Sequence, residues 1–308
     1  MENKIIKLNQ EYTSRILTND ILFLQYEFPE LEVGRIGTSL LGENIPFLKL
    51  GKGQYKVMIN ASHHANEWMT SLIVMLFVEK YLWLHKQKKN YKTYDCNDIW
   101  NKTSLYIVPM VNPDGVNLSL QENRVLHEME YCKLWENKEK DFFKRWKANI
   151  RGVDLNLNYP AGWEIARKNK EKKGVTKPGP RDYVGPNPLS EKETIAMYQF
   201  TKIHSFDLTI SFHSQGKEIY GNGKENAKAK KLAKLFETVS GYHYTEPEYA
   251  SSFAGYKDWF VNTYSKPGFT IEIGKGEEGV CLPLEQAKEI YEEIEEIFFI
   301  ALDEVDEA

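Results

Sequence analysis

Strand-like and helix-like segments alternate along this 308-residue chain, predicting an α/β fold: a mostly parallel sheet covered by helices on both faces. Two further observations support that class. Hydrophobic residues make up 42% and aromatics 13%, enough for a sizeable buried core, which excludes a disordered chain. No internal repeat or long low-complexity linker breaks the alternation. Sheets of this kind bind ligands at the carboxyl ends of their strands, so candidate chemistry is sought there.

Taken in order, Asn19 to Phe28 reads as a short helix, with Asn19 or Asp20 as its cap and Pro29 as its stop. Leu31 to Ile36 and Pro46 to Leu50 read as strands around a Gly42-Glu43-Asn44 turn. Tyr55 to Asn60 is a third strand, leading through His63-His64 into an apolar helix from Thr70 to His85. Leu105 to Val111 is a buried strand closed by the turn signal Asn112-Pro113-Asp114-Gly115. Gln121 to Lys147 has a charged helical pattern, and Pro160 to Pro188 reads as a long ordered surface loop. Helices follow at Glu191 to His204, Asn226 to Ser240 and Pro283 to Val305, with strands at Leu208 to Phe212 and Gly268 to Ile273.

The net charge of -4 is mild and argues against a nucleic-acid partner; the basic run Lys168 to Lys173 reads as a solvated loop. Met1 to Asn9 lacks the apolar stretch of a secretory signal, and Glu79 and Lys80 interrupt Leu72 to Leu84, the best apolar run, so no membrane partner is expected. Three widely spaced cysteines, Cys96, Cys132 and Cys281, fit neither a disulfide framework nor a zinc knuckle. Free thiols in a cytoplasmic protein are expected.

Catalytic zinc commonly takes three His or carboxylate ligands and keeps one position open. His64 and Glu67 stand three residues apart, a spacing that brings both to one face of a helical turn. His213 closes a strand-like run, a setting His63, His85, His127, His204 and His243 lack. His63 reads as a packing neighbour. Glu272 lies inside the apolar run Gly268 to Ile273, where an ionisable side chain needs a charged or metal partner. Beside an activated water it is the candidate general base and acid.

These residues sit in stretches that resemble the zinc metallocarboxypeptidases of the carboxypeptidase A type, nearest to the branch of bacterial γ-D-glutamyl-meso-diaminopimelate peptidases. The stretches are Ile36 to Gly42, His63 to Trp68, Asn112 to Val116, Gly152 to Asn156, Ser211 to Gln215, Ala254 to Trp259 and Thr270 to Gly274, in family order and across nearly the whole chain. The resemblance implies one three-layer α/β/α catalytic domain over residues 1–308, around a mixed, mostly parallel twisted sheet of about eight strands. It implies one zinc per chain on His64, Glu67 and His213, with Glu272 as the catalytic carboxylate. Asp154 would orient His64, Asn156 would meet a substrate carboxylate, and Tyr249 would stand near the family's mobile tyrosine.

The sequence also departs from the family. Leu157 stands where an arginine usually clamps the substrate's terminal carboxylate, and Asn66 replaces another arginine. Arg151 and Arg124 are the candidate replacements, with Arg151 preferred; the oxyanion donor stays open among Arg151, Arg124 and His127. Lys257 aligns near the base of the pocket for the residue after the scissile bond, where a cation suits a carboxylate. The implied activity is hydrolysis of the γ-D-glutamyl-diaminopimelate amide in peptidoglycan-derived peptides. The alternatives are a conventional metallocarboxypeptidase or a zinc amidohydrolase releasing a free amino acid.

Overall fold

The computed structural model describes residues 5–121, 140–221, 226–245, 253–277 and 279–304. Its strands are β1 (Glu32–Thr38), β2 (Asn44–Leu50), β3 (Tyr55–Ala61), β4 (Thr103–Val108), β5 (Leu208–His213), β6 (Glu218–Tyr220), β7 (His243–Thr245) and β8 (Gly268–Glu272). They form one eight-stranded sheet in the order β1-β2-β4-β3-β5-β8-β6-β7. The centre, β4-β3-β5-β8, is parallel, as is β6 with β7. Antiparallel pairs join β1 to β2, β2 to β4 and β8 to β6. The sheet is mixed and mostly parallel, as expected from the sequence.

Helices cover both faces. Val57, Ile59 and Ala61 of β3 share a core with Ile210 and Phe212 of β5 and with apolar residues of the helices Met69–Lys86, Ala227–Ser240 and Ala287–Asp303. Met58 of β3 and Tyr106 and Val108 of β4 point the other way, packing with Met197 and Phe200 of Lys192–His204 and with Tyr256 and Phe260 of Tyr256–Tyr264. Every residue of β4 and β5 is buried, as expected for central strands covered by helices on both faces, and the polar Thr103, Ser104, Thr209 and Ser211 are buried with the rest.

Several local expectations need correction. The first helix runs Ser14–Glu27, capped by Thr13, whose hydroxyl accepts from the Ile16 N–H at 3.3 Å. Asp20, expected as a cap, is buried inside it and accepts from the Tyr12 hydroxyl at 2.8 Å. Asn112-Pro113-Asp114-Gly115 is a helix start rather than a closing turn: Pro113–Ser119 is helical, and Asn112 caps Gly115 at 3.0 Å. The expected loop of residues 160–188 contains the helix Trp163–Lys172, whose polar composition hides it because only Trp163 and Ala166 are buried. The last helix begins at Ala287, after a short turn at Leu284–Gln286. The helix Cys96–Lys102 and the three-residue strands β6 and β7 are too short to show a period. Of the charged stretch 121–147, residues 122–139 lie outside the described part, and Lys140–Phe143 is helical. Among the described residues, no helix is long and apolar enough to cross a membrane.

The C-terminal helix clamps the strand that ends in His213. Phe298 is fully buried, stacked on Phe77 at 4.3 Å between ring centroids and on Phe212 at 5.0 Å. Phe298→Ala should therefore cost about 3–5 kcal/mol of stability in urea unfolding. A loss below about 1 kcal/mol would contradict this packing.

Candidate metal centre and its cleft

β3 ends at Ala61, and the chain turns through Ser62 in the left-handed region (φ 49°). Side chains and backbone pin this corner. The Ser62 N–H donates to the Thr70 hydroxyl at 3.0 Å, the Asn112 N–H donates to the Ser62 carbonyl at 3.0 Å, and the Asn112 amide donates to the His63 carbonyl at 3.2 Å. A single 3-10 turn, Ala65–Glu67, then carries Glu67 back to His64, with Oε1 2.8 Å from His64 Nδ1. β5 delivers His213 from its carboxyl end. Its Nδ1 lies 2.9 Å from Glu67 Oε2 and 3.1 Å from His64 Nδ1. On the adjacent parallel strand, Glu272 is the register partner of His213.

Two imidazoles and a carboxylate thus converge, all three buried, with one donor atom from each lying within 4.8 Å of the others. Tetrahedral bonds of about 2.0–2.2 Å would set such atoms roughly 3.3 Å apart, close to the separations found. His64 Nε2 lies 3.1 Å from Asp154 Oδ1. That bond places the ring proton on Nε2 and turns the Nδ1 lone pair toward Glu67 and His213, the arrangement a metal-bound imidazole needs. Electrostatics agree. Burial alone would raise the Glu67 carboxyl, but the His64 and His213 imidazoles outweigh it and hold it far below the usual range. The same contest at Asp154 is won by Lys147, 3.2 Å away, together with His64. His63 is not part of the set: its Nε2 meets the Tyr159 hydroxyl at 3.0 Å, and burial holds it neutral.

A family model described as zinc carboxypeptidase matches residues 19–297. The chain belongs to the zinc carboxypeptidase family. Its cofactor is zinc, and it is a hydrolase of peptide bonds. A γ-D-glutamyl-L-diamino acid endopeptidase of Lysinibacillus sphaericus is 38% identical over 303 residues, covering 97% of this chain and 74% of that one. Carboxypeptidase B of Bos taurus is 28% identical over 280 residues, covering 84% of this chain and 61% of its own. A crystal structure of thrombin activatable fibrinolysis inhibitor superposes with a TM-score of 0.71 at 18% identity, covering 97% of this chain and 76% of that one. The last match shows that the fold is shared.

In this member of the family a cleft of about 410 Å³ opens beside the three converging side chains. Glu272 lines it, and burial pushes its carboxyl above the ordinary range; Glu67 adds to that rise while His213 opposes it. Asn156, Leu157 and Lys257 line it too. Asn156 Oδ1 accepts from the Tyr256 N–H at 3.0 Å, which leaves the amide N–H groups to offer the cleft. Lys257 Nζ lies 2.6 Å from Asp258. Arg151, the expected cation, does not line the cleft; it faces Glu191 at 3.7 Å and is partly exposed. The structure brings Lys147 there instead, a residue that sequence reading placed in an undifferentiated charged stretch. Lys170 and Tyr220 also line the cleft, the first from the basic run read as a solvated loop. Tyr249, Arg124 and His127 lie outside the described residues.

Asp154→Asn removes the carboxylate that answers both His64 and Lys147. Zinc affinity, measured by competition with a chelator, should fall about 10–100-fold. Unchanged affinity would mean that His64 is oriented by something other than Asp154.

Proposed function

We propose that this chain hydrolyses the γ-D-glutamyl-diaminopimelate amide of peptidoglycan-derived peptides, as a single catalytic domain over residues 1–308 acting in the cytoplasm with one zinc per chain. The observation that carries the reading is the set of three lysines in the cleft. Lys147, Lys170 and Lys257 line it beside Asp154, Asp258 and Glu272, while Leu157 contributes no donor; three ammonium groups within one cleft suit a substrate with several carboxylates. The relative from Lysinibacillus sphaericus, an endopeptidase for γ-D-glutamyl-L-diamino acid bonds, supports the same choice.

In this proposal His64, Glu67 and His213 hold the zinc. The bound ion supplies a Lewis acid that polarises the scissile carbonyl and activates a water. Glu272 takes the water's proton and returns it to the leaving amine, a task suited to a carboxyl whose proton affinity burial has raised. Lys147, rather than Arg151, is the cation for the developing oxyanion. Its charge acts on both Glu67 and Glu272, and Asp154 fixes it in place. Asn156 and Lys257 meet substrate carboxylates.

Incubation with L-Ala-γ-D-Glu-meso-diaminopimelate beside an α-linked peptide, with products read by mass, tests the substrate. Release of diaminopimelate from the first alone is expected; preference for hydrophobic C-terminal residues would overturn the reading. Glu272→Gln should keep its zinc and fold while kcat drops at least about 100-fold, because an amide does not accept the proton. Near wild-type turnover would exclude Glu272 as the base.

A further inference from the structure

Three lysines reach the cleft, and they differ in how firmly each is held. Lys147 answers Asp154, whose side chain is wholly buried, so withdrawing that cation would strand a carboxylate away from water. Lys257 is paired to its chain neighbour Asp258 at 2.6 Å, and both side chains are largely covered. Lys170 is different. It pairs with Asp182 Oδ1, but Asp182 Oδ2 also faces a second cation, Arg181 Nε, at 3.4 Å, and Asp182 is partly open to solvent. If Lys170 turned away, Asp182 would keep a cationic partner and access to water.

The helix Trp163–Lys172 aims Lys170 at the cleft. Trp163, Ala166 and Lys170 fall at i, i+3 and i+7, one face of an α-helix. The first two are buried in a cluster with Val184 and Ala254, and Leu157 packs against that cluster. Leu157 therefore has a packing role: it seats the face of the helix that carries Lys170 into the same wall. Lys170 and Leu157 both line the cleft, beside Asn156. The motif residue gives that wall no charge, and a neighbouring helix supplies one.

We propose that Lys170 is a specificity-determining residue, which exchanges Asp182 for a carboxylate of the substrate when peptide binds. The proposal builds on the peptidase reading above but depends only on a substrate that carries a free carboxylate near the cleaved amide. Two sources offer that chemistry, the α-carboxylate of the leaving amino acid and the free α-carboxylate of a γ-linked glutamate. Both are single groups that synthesis can convert to carboxamides.

The test compares wild-type zinc enzyme with Lys170→Met and Asp182→Asn on the free-acid peptide and on two mono-amidated versions, one at each position. Lys170→Met keeps the aliphatic stem and deletes the charge. It should lower kcat/KM for the acid at least about 30-fold, mostly through KM, and leave one of the two amides within about 3-fold. Asp182→Asn removes the competing anion, so KM for the acid should hold or fall. The amide that Lys170→Met spares identifies which carboxylate Lys170 meets. Equal losses on acid and amides, shared by both variants, would show that the pair only braces the chain around Asp182 and would overturn the proposal. So would a wild-type enzyme that does not distinguish acid from either amide. If γ-linked peptides are not cleaved at all, the proposed substrate fails, and the acid-amide comparison on whichever peptide is cleaved still decides the role of Lys170.

Discussion

Asp154 is a carboxylate with no access to water, and it stays charged there because each oxygen faces a partner: His64 Nε2 at 3.1 Å and Lys147 Nζ at 3.2 Å. An unpartnered carboxylate at that depth would take up a proton or unfold its surroundings. Its two contacts do different things. One fixes the tautomer of His64, so that the Nδ1 lone pair faces Glu67 and His213. The other fixes a cation at the wall of the cleft. Backbone bonds hold the carboxylate's own segment: the Asp154 N–H donates to the Tyr183 carbonyl at 2.8 Å, and the Lys147 N–H donates to the Pro180 carbonyl at 2.8 Å. The centre and its nearest cation are thereby tied to one strap, which also contains Asp182.

The sheet places the rest. Three neighbouring parallel strands, β3, β5 and β8, end at the same edge, and each contributes at or just beyond its carboxyl end: His64 and Glu67, His213, and Glu272. Sites at this edge follow from parallel pairing, because every strand points the same way and the turns that leave it gather on one side. Helix packing from both faces keeps these ends in register. Phe212, immediately before His213, is covered by Phe298 of the last helix.

Much of the fold and of the converging donor set was legible in the sequence because both rest on local patterns. Apolar runs between turn residues marked β3, β5 and β8, and the three-residue spacing of His64 and Glu67 reads directly as one helical turn. The family resemblance pointed to Asp154 and Asn156. Of the three lysines that line the cleft, only Lys257 was legible. Lys147 and Lys170 sit among many lysines, and only the tertiary path shows which of them turn inward. Arg151 had the better motif position, one residue before Gly152, but it faces Glu191. Lys170 was hidden twice over, since the composition of its segment reads as loop although a helix forms there. Asn112 shows a related ambiguity: residues that end a turn also cap a helix, and single-sequence reading cannot tell the two apart.

In the proposed function, zinc sits on two imidazoles and one carboxylate, with the fourth position open. X-ray absorption at the zinc edge of the purified, zinc-loaded protein tests it most directly. Only nitrogen and oxygen neighbours at about 2.0–2.2 Å are expected, with the multiple-scattering signature of two histidines that becomes one in His213→Ala. A sulfur neighbour at about 2.3 Å, or two histidines persisting in His213→Ala, would contradict it.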